Sequence, residues 1–382
     1  TLTHVAYANS APDINWKKKV PNAFGGYTSI DGNNIYLNFY GDGIFKSSLK
    51  GKISKIYNND IHTTTNLTID SNHIIYVPSG ECLYAVNPDG TLKWTFRNHN
   101  DIRLSQPAIS KRGTIYTRNI NYIYSINSNG KLKWKFKTKE NSSRRIPPVI
   151  GKDGSIYLLD QCYFYAIHPD GSLKWYIKNS RVAFDQKLPA IGKDGTIYLR
   201  YTISAKKSAD NQPIYGLYAI NTDGSIKWNV QLNNYFSQGL NTTSPIIGND
   251  GTIYFGIYNH EDEPSYLFAI NPNGSFRWKV PLVTEQSSYE VTSHPVISKD
   301  GTIYLHTNHL TGPPSSADNR NEYLFAINSN GTLKWKYKLG IRVSGLTLNR
   351  DGTLYLHSTE GTCYGYGNCL TEAYLYSINV QS

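Results

Sequence analysis

An internal repeat constrains this chain more than any other feature, because a period of about 40 residues admits few architectures. A tyrosine preceded by Ile or Leu recurs at Tyr36, Tyr76, Tyr116, Tyr157, Tyr198, Tyr254, Tyr304 and Tyr355. An aromatic-small-apolar-Asn/His motif follows: YAVN at 84–87, YSIN at 124–127, YAIH at 165–168, YAIN at 218–221, FAIN at 268–271 and 325–328, and YSIN at 376–379. Trp94, Trp134, Trp175, Trp228, Trp278 and Trp335 each lie seven residues beyond the Asn or His. Each unit reads as four short strands: a brief apolar run, a β-branched and aromatic run, the aromatic-small motif, and the Trp-bearing run. Asp-Gly and Asn-Gly steps between them supply the positive φ of tight hairpins.

Eight such units with no helical periodicity between them predict an all-β fold, an eight-bladed β-propeller of four-stranded antiparallel blades. The two ends of the chain sharpen the expectation. The last unit stops at Asn379-Val380-Gln381-Ser382, before a fourth strand, while INWKKKV at 14–20 is a fourth strand without the first three. Trp16 therefore completes blade eight and closes the ring, with residues 1–13 as an N-terminal tail and 14–382 as one propeller.

The segments AVNPDGTLKW at 85–94, AIHPDGSLKW at 166–175, AINTDGSIKW at 219–228, AINPNGSFRW at 269–278 and AINSNGTLKW at 326–335 carry a more specific signal. They resemble the PQQ-like repeat of the quinoprotein alcohol dehydrogenase superfamily, over about residues 14–380. The resemblance implies an Ala…Gly…Trp docking motif in which Trp16, Trp94, Trp134, Trp175, Trp228, Trp278 and Trp335 pack against neighbouring blades. That superfamily includes quinone-dependent dehydrogenases and also non-enzymatic members. Among the latter are the periplasmic lipoprotein of the outer-membrane barrel-assembly machinery and the luminal sensor of the unfolded-protein kinase. The repeat style is closest to the barrel-assembly lipoprotein.

Chemistry is sparsely signalled. A quinone enzyme of this kind would carry a vicinal cysteine pair and channel acids for calcium; neither is visible, and all seven tryptophans fit the fourth-strand pattern. No cofactor and no metal site is expected. His306 and His309 form an HxxH that reads as loop histidines, and Glu290 and His294 are loop groups with no readable geometry. No phosphate loop, nucleophile elbow or HExxH occurs.

Loop length is the strongest functional signal. From the second-strand tyrosine to the third-strand aromatic, blades one to four need 9, 8, 8 and 8 residues, and blades five to eight need 20, 14, 21 and 21. The long segments are read as loops that open on one face together with the blade-to-blade connections, a face rich in groups that bind: Tyr201, Tyr258, His260, Tyr289, His294 and Tyr323. Connections between the earlier blades carry Arg97, His99, Arg103, Lys139, Arg144, Arg145, Arg181 and Lys187. Together they predict recognition of a protein or an anionic polysaccharide.

Net charge is +11, but sixteen of the 39 basic residues fall on the fourth-strand segment, where lysines guard a sheet edge. This argues against nucleic acid as the partner. No apolar stretch is long enough for a membrane helix. Ala6-Tyr7-Ala8 has the form of a signal-peptidase site, so a secreted or extracytoplasmic chain is expected. A Cys363–Cys369 disulfide in one polar segment fits that compartment, with Cys82 and Cys162 unpaired. The reading is a monomeric, secreted, non-catalytic binding or scaffold propeller. A polysaccharide lyase or hydrolase using the same face stands second, and a quinone-dependent oxidoreductase third.

Overall fold

The structure is a computed structural model that describes residues 12–20, 27–39, 41–58, 65–99, 102–139, 145–160, 162–178, 182–184, 187–204, 208, 213–233, 241–258, 265–282, 289–291, 294–310, 320–339, 342–364 and 368–380. All regular elements among them are strands apart from a single 3-10 residue, and they form eight antiparallel sheets of four or five strands. The chain is an eight-bladed β-propeller whose N-terminal strand closes the ring by completing blade eight. Asp13–Val20 pairs antiparallel with Asn368–Asn379, Trp16 opposite Ser377 and Val20 opposite Ala373. The tail expected over residues 1–13 lies almost wholly outside the described residues.

Blade three shows how a repeat becomes a blade. Ala108–Ile109, Ile115–Arg118, Tyr122–Ile126 and Leu132–Lys137 pair in sequence order. The second and third strands are buried apart from half-buried Tyr122, whereas Leu132–Lys137 has exposed and half-buried residues only, as a sheet edge does. Lysines therefore sit on edges in each fourth strand, where charge discourages edge-to-edge pairing. The turn between strands three and four is held by Asn127, whose Oδ1 accepts from the amides of Asn129 and Lys131, both at 3.0 Å.

One aromatic pair recurs. The second-strand tyrosine meets the fourth-strand tryptophan at 5.8 Å for Tyr76–Trp94, 5.8 Å for Tyr116–Trp134, 5.9 Å for Tyr157–Trp175 and 5.8 Å for Tyr304–Trp335. Such pairs add about 0.5–1.5 kcal/mol beyond the area they bury. The small residue expected beside each tryptophan is its cross-strand partner: Ala85 faces Trp94 and Ala166 faces Trp175. Five of the indoles, those of Trp16, Trp94, Trp134, Trp175 and Trp278, also reach the next blade. Trp94 Nε1 donates to the Ser128 carbonyl at 2.9 Å, and Trp134 Nε1 to that of Pro169 at 2.9 Å. Gly130, at φ 82°, lies against the Trp94 ring so closely that a Cβ there would stand 2.6 Å from it. The same contact closes the ring, since Trp16 Nε1 donates to the Leu49 carbonyl at 2.8 Å.

The residues gather into two compact units. One comprises Asn38–Phe45 and Lys55–Phe236, which includes blades two to five. Its core runs through buried clusters such as Tyr116, Ile123, Ile156, Leu158 and Tyr165, shared by blades three and four. The other comprises Thr1–Leu37, Lys46–Ser54 and Ser237–Ser382. There Tyr304, Leu324, Trp335, Leu354, Leu356 and Ile378 bind blade seven to blade eight.

The long segments of blades five, seven and eight are in part strand rather than loop. They prolong the second and third strands: Ile197–Ile203 with Ile214–Ile220, Ile303–Leu310 with Arg320–Ile327, and Thr353–Tyr364 with Asn368–Asn379. Short extra strands, Val182–Phe184 and Tyr289–Val291, pair with two of these extensions. The inserted residues alternate in side and are rich in β-formers, so continuing the ladder satisfies backbone groups that a loop would leave to water.

Candidate binding face

In the unit containing blades two to five, the connections between blades carry the basic residues singled out above. Asn98 is buried and ties its connection down: its Nδ2 donates to the Ile102 carbonyl at 2.6 Å, and the Leu104 amide donates to the Gly80 carbonyl at 2.9 Å. His99, exposed beside it, has a φ of 57°, in the left-handed region that non-glycine residues seldom occupy. Arg97 is paired with Glu81.

Arg103 is exposed and Arg145 half-buried. Arg145 is pushed below the usual guanidinium range, first by burial and then by the like charge of Arg103. The two lie on successive connections, near enough for the charge of one to act on the other. Among the described residues no carboxylate forms an ion pair with either. Lys139 completes the arc, its ammonium 3.8 Å from the centre of the Tyr176 ring.

The floor of this arc is a buried ion pair. Arg118 and Asp160 are both wholly excluded from solvent, with Nη2 and Oδ1 2.5 Å apart. Arg118 Nη1 also donates to the Leu159 carbonyl at 2.7 Å, and Nε to that of Asn119 at 3.0 Å. Its backbone exchanges bonds with Ser105 on the connection above, the Ser105 amide donating to the Arg118 carbonyl at 2.8 Å. The pair thus holds blade three to blade four and holds the connection to both. Sequence reading did not single out Arg118 or Asp160. A charged residue two places after the repeat tyrosine, inside a buried strand, was the available signal.

Tyr201 is not a surface contact. It is 1 % exposed, in strand Ile197–Ile203, stacked on Tyr218 at 4.3 Å with its hydroxyl donating to Asn229 Oδ1 at 2.7 Å. Burial pushes its phenol up to about 12. Gly216, directly opposite, explains the placement, since the Tyr201 ring fills the space over a residue with no side chain.

In the other unit, His294 is exposed and its Nδ1 accepts from the Ser244 amide at 3.2 Å, fastening the entry of blade seven to that of blade six. Tyr323 is half-buried in its strand with the Lys336 ammonium 6.0 Å over the ring. Tyr258 and Tyr289 lie on strands, opposite Asn241 and His309, and their side chains fall outside the description, as do Arg144, Arg181 and His260 entirely. His306, expected on a loop, is instead a buried strand residue: its Nδ1 is 3.6 Å from Glu322 Oε2, which accepts from the Val343 amide at 2.6 Å. Among the described residues no cluster of three or more His, Cys, Asp or Glu side chains could hold a metal ion. Among the described residues no helix is long and apolar enough to cross a membrane.

Comparisons with known proteins agree with this architecture. The structure is similar to that of BamB from Moraxella catarrhalis, at 13% identity and a TM-score of 0.64, over 96% of this chain and 99% of that one. It is similar to the Dos1 propeller at 10% identity and TM-score 0.60, over 93% and 94% of the two chains. Virginiamycin B lyase from Staphylococcus aureus matches at 12% identity and TM-score 0.54, over 96% and 98%. At such identities these likenesses speak of fold alone. No curated protein sequence matches the chain. The family model described as outer membrane protein assembly factor BamB matches residues 119–312, half of the chain, and with the Tyr–Trp blades already in place the chain belongs to that family of PQQ-like propeller-repeat proteins.

Proposed function

We propose that this protein is an extracytoplasmic, non-catalytic scaffold that binds an acidic segment of a partner protein over the connections of blades two to four. The Arg103–Arg145 juxtaposition carries the reading. Two like charges held close, one of them half-buried, weaken the free protein, and an anionic group laid between them relieves both. The arc's rigid anchoring supports it, because Asn98, Ser105 and Arg118 fix the connections before any partner arrives. Membership of a family named for an outer-membrane assembly factor supports a scaffold that binds protein outside the cytoplasm. The long hairpins of blades seven and eight, with Tyr323, are available as a second contact surface.

The test is fluorescence anisotropy with a labelled Glu/Asp-rich peptide and, in parallel, an oligouronate. The peptide should bind, and binding should weaken as salt rises. Replacing Arg103 and Arg145 with alanine should lower affinity at least about tenfold, equivalent to about 1.4 kcal/mol. Removing Lys135, Lys174 and Lys336 from the outer strands should matter less. Preferential binding or cleavage of the oligouronate would overturn the assignment in favour of a polysaccharide-directed protein.

A further inference from the structure

The other end of the blade-three strands departs from the charge pattern of the repeat. In blades four to eight the turn between the first two strands reads GKDG at 151–154, GKDG at 192–195, GNDG at 248–251, SKDG at 298–301 and NRDG at 349–352. Its aspartate pairs with the cation on the blade's fourth strand: Lys174 with Asp153 at 2.8 Å, Lys227 with Asp194 at 3.1 Å, and Arg277 with Asp250 at 2.7 Å. Blade three has SKRG at 110–113, so Arg112 stands where the other five have aspartate. Lys133, the fourth-strand residue that would meet the carboxylate, meets a guanidinium in the same groove instead.

The turn itself is intact. Gly113 donates to the Ser110 carbonyl at 2.9 Å, and Ser110 Oγ accepts from the Thr114 amide at 3.1 Å, the bond that aspartate Oδ1 accepts elsewhere. Ser110 has taken over the structural task, and Arg112 is a change of charge without a change of fold.

That change alters a concavity of about 370 Å³ between blades three and four, lined by Lys111, Arg112, Lys133, Lys152 and Asp153. Four cations less one carboxylate leave a formal charge of +3, and Asp153 is already bonded to Lys174 and to Ser155. Lys152 donates to the Lys193 carbonyl on the turn of blade five, so Lys111, Arg112 and Lys133 are the charges that a ligand between blades three and four would meet first. Among the described residues no carboxylate forms an ion pair with Lys111, Arg112 or Lys133.

We propose that this groove binds a phosphate group. The cations line the groove from three elements, two turns and one strand, so the complementary anion must present oxygens in several directions. A tetrahedral phosphate does so, whereas a carboxylate offers two oxygens in one plane. The phosphate can be borne by a small soluble molecule or by a lipid headgroup, and the groove is open enough for either. The site is independent of the connection arc, which lies at the opposite end of the same strands.

The test is titration calorimetry of the full chain with glycerol phosphate, with acetate as the carboxylate control. Co-sedimentation with phosphatidylcholine vesicles, with and without phosphatidylglycerol, runs beside it. The informative variant is Arg112→Asp, which restores the repeat's own residue and its pair with Lys133. It should melt no lower than the wild type yet lose phosphate binding at least about tenfold. Arg112→Ala, which adds no new charge, should lose it as well, and Arg350→Ala in the corresponding turn of blade eight should retain it. Binding to both probes assigns the phosphate group itself, and binding to phosphatidylglycerol vesicles alone assigns the lipid. No saturable binding to either, unchanged binding by Arg112→Asp, or equal binding of acetate would overturn the proposal.

Discussion

Two buried histidines should make this fold acid-sensitive at pH values where its carboxylates are still ionised. His306 and His357 occupy the same position in blades seven and eight, two residues after the repeat tyrosine, and are 2 % and 1 % exposed. Burial pulls His306 from its ordinary 6.5 down to about 3 and His357 down to about 4. In the folded protein both imidazoles therefore stay neutral below pH 6.5, while in the unfolded chain they take up protons. The unfolded state binds more protons there, so stability is complete above about pH 6.5 and falls as the pH drops toward 4. At one proton per histidine the slope is about 1.4 kcal/mol per pH unit, so each costs about 2 kcal/mol by pH 5 and the two together about 4 kcal/mol. Glu322, 3.6 Å from His306, is a carboxylate placed to favour its protonation, and its Oε2 already accepts from Val343. Urea unfolding at about pH 8 and about pH 5 measures the difference. Asparagine is the replacement to use, because blade one carries Asn38 at this position with Nδ2 donating to the Thr65 carbonyl at 3.0 Å. The His306→Asn/His357→Asn variant should lose most of the slope between those two pH values. A wild type whose stability changes by less than about 1 kcal/mol over that range, or a variant as acid-sensitive as its parent, would refute the reasoning.

Asp160→Ala should cost about 3–5 kcal/mol, because it strands the Arg118 guanidinium in a dry interface, while Arg118→Met with Asp160→Leu should recover most of that loss. Urea midpoints check both, and a single variant within about 1 kcal/mol of wild type would mean that the pair is not dry. Cys363 and Cys369 stand directly opposite one another in register on their hairpin, and Cys82 and Cys162 are free. Thiol counting under denaturing conditions should therefore find the latter two alone, and four reactive thiols would remove the bridge.

The repeat made the blades legible because its markers are structural. The tyrosine, the small residue and the tryptophan contact one another inside a blade and across to the next turn, so copies that carry all three repeat the same physical requirement. Closure by Trp16 was legible for the same reason. Hairpin extensions were misread as loops because length was counted and alternation was not. Tyr201 opposite Gly216 is a cross-strand pair, and an aromatic beside a glycine in a run such as YGLY is a strand signal rather than a binding loop. Arg118, Asp160 and Glu322 were passed over, and His306 was read as a loop residue, for a different reason. Each is tolerable only with a partner on another strand or blade, and no spacing along the chain brings that partner into view.

These departures from the repeat share a physical basis. A propeller blade contacts only its neighbours, so its stability is set by its own aromatic pair and two interfaces. A single blade can then lose a turn aspartate, as blade three does at Arg112, with the penalty confined to that turn and met there by Ser110. The position two after the tyrosine varies in the same way, through Asn38, Arg118, Arg200, His306 and His357, because the Tyr–Trp contact beside it carries the packing. A repeat that fixes its framework residues so tightly leaves its remaining positions free to differ blade by blade. Buried charge and uncompensated surface charge in this chain are therefore informative where they break the repeat. By that criterion blade three, with Arg118 at one end of its second strand and Arg112 before the other, is the most specialised blade of the molecule.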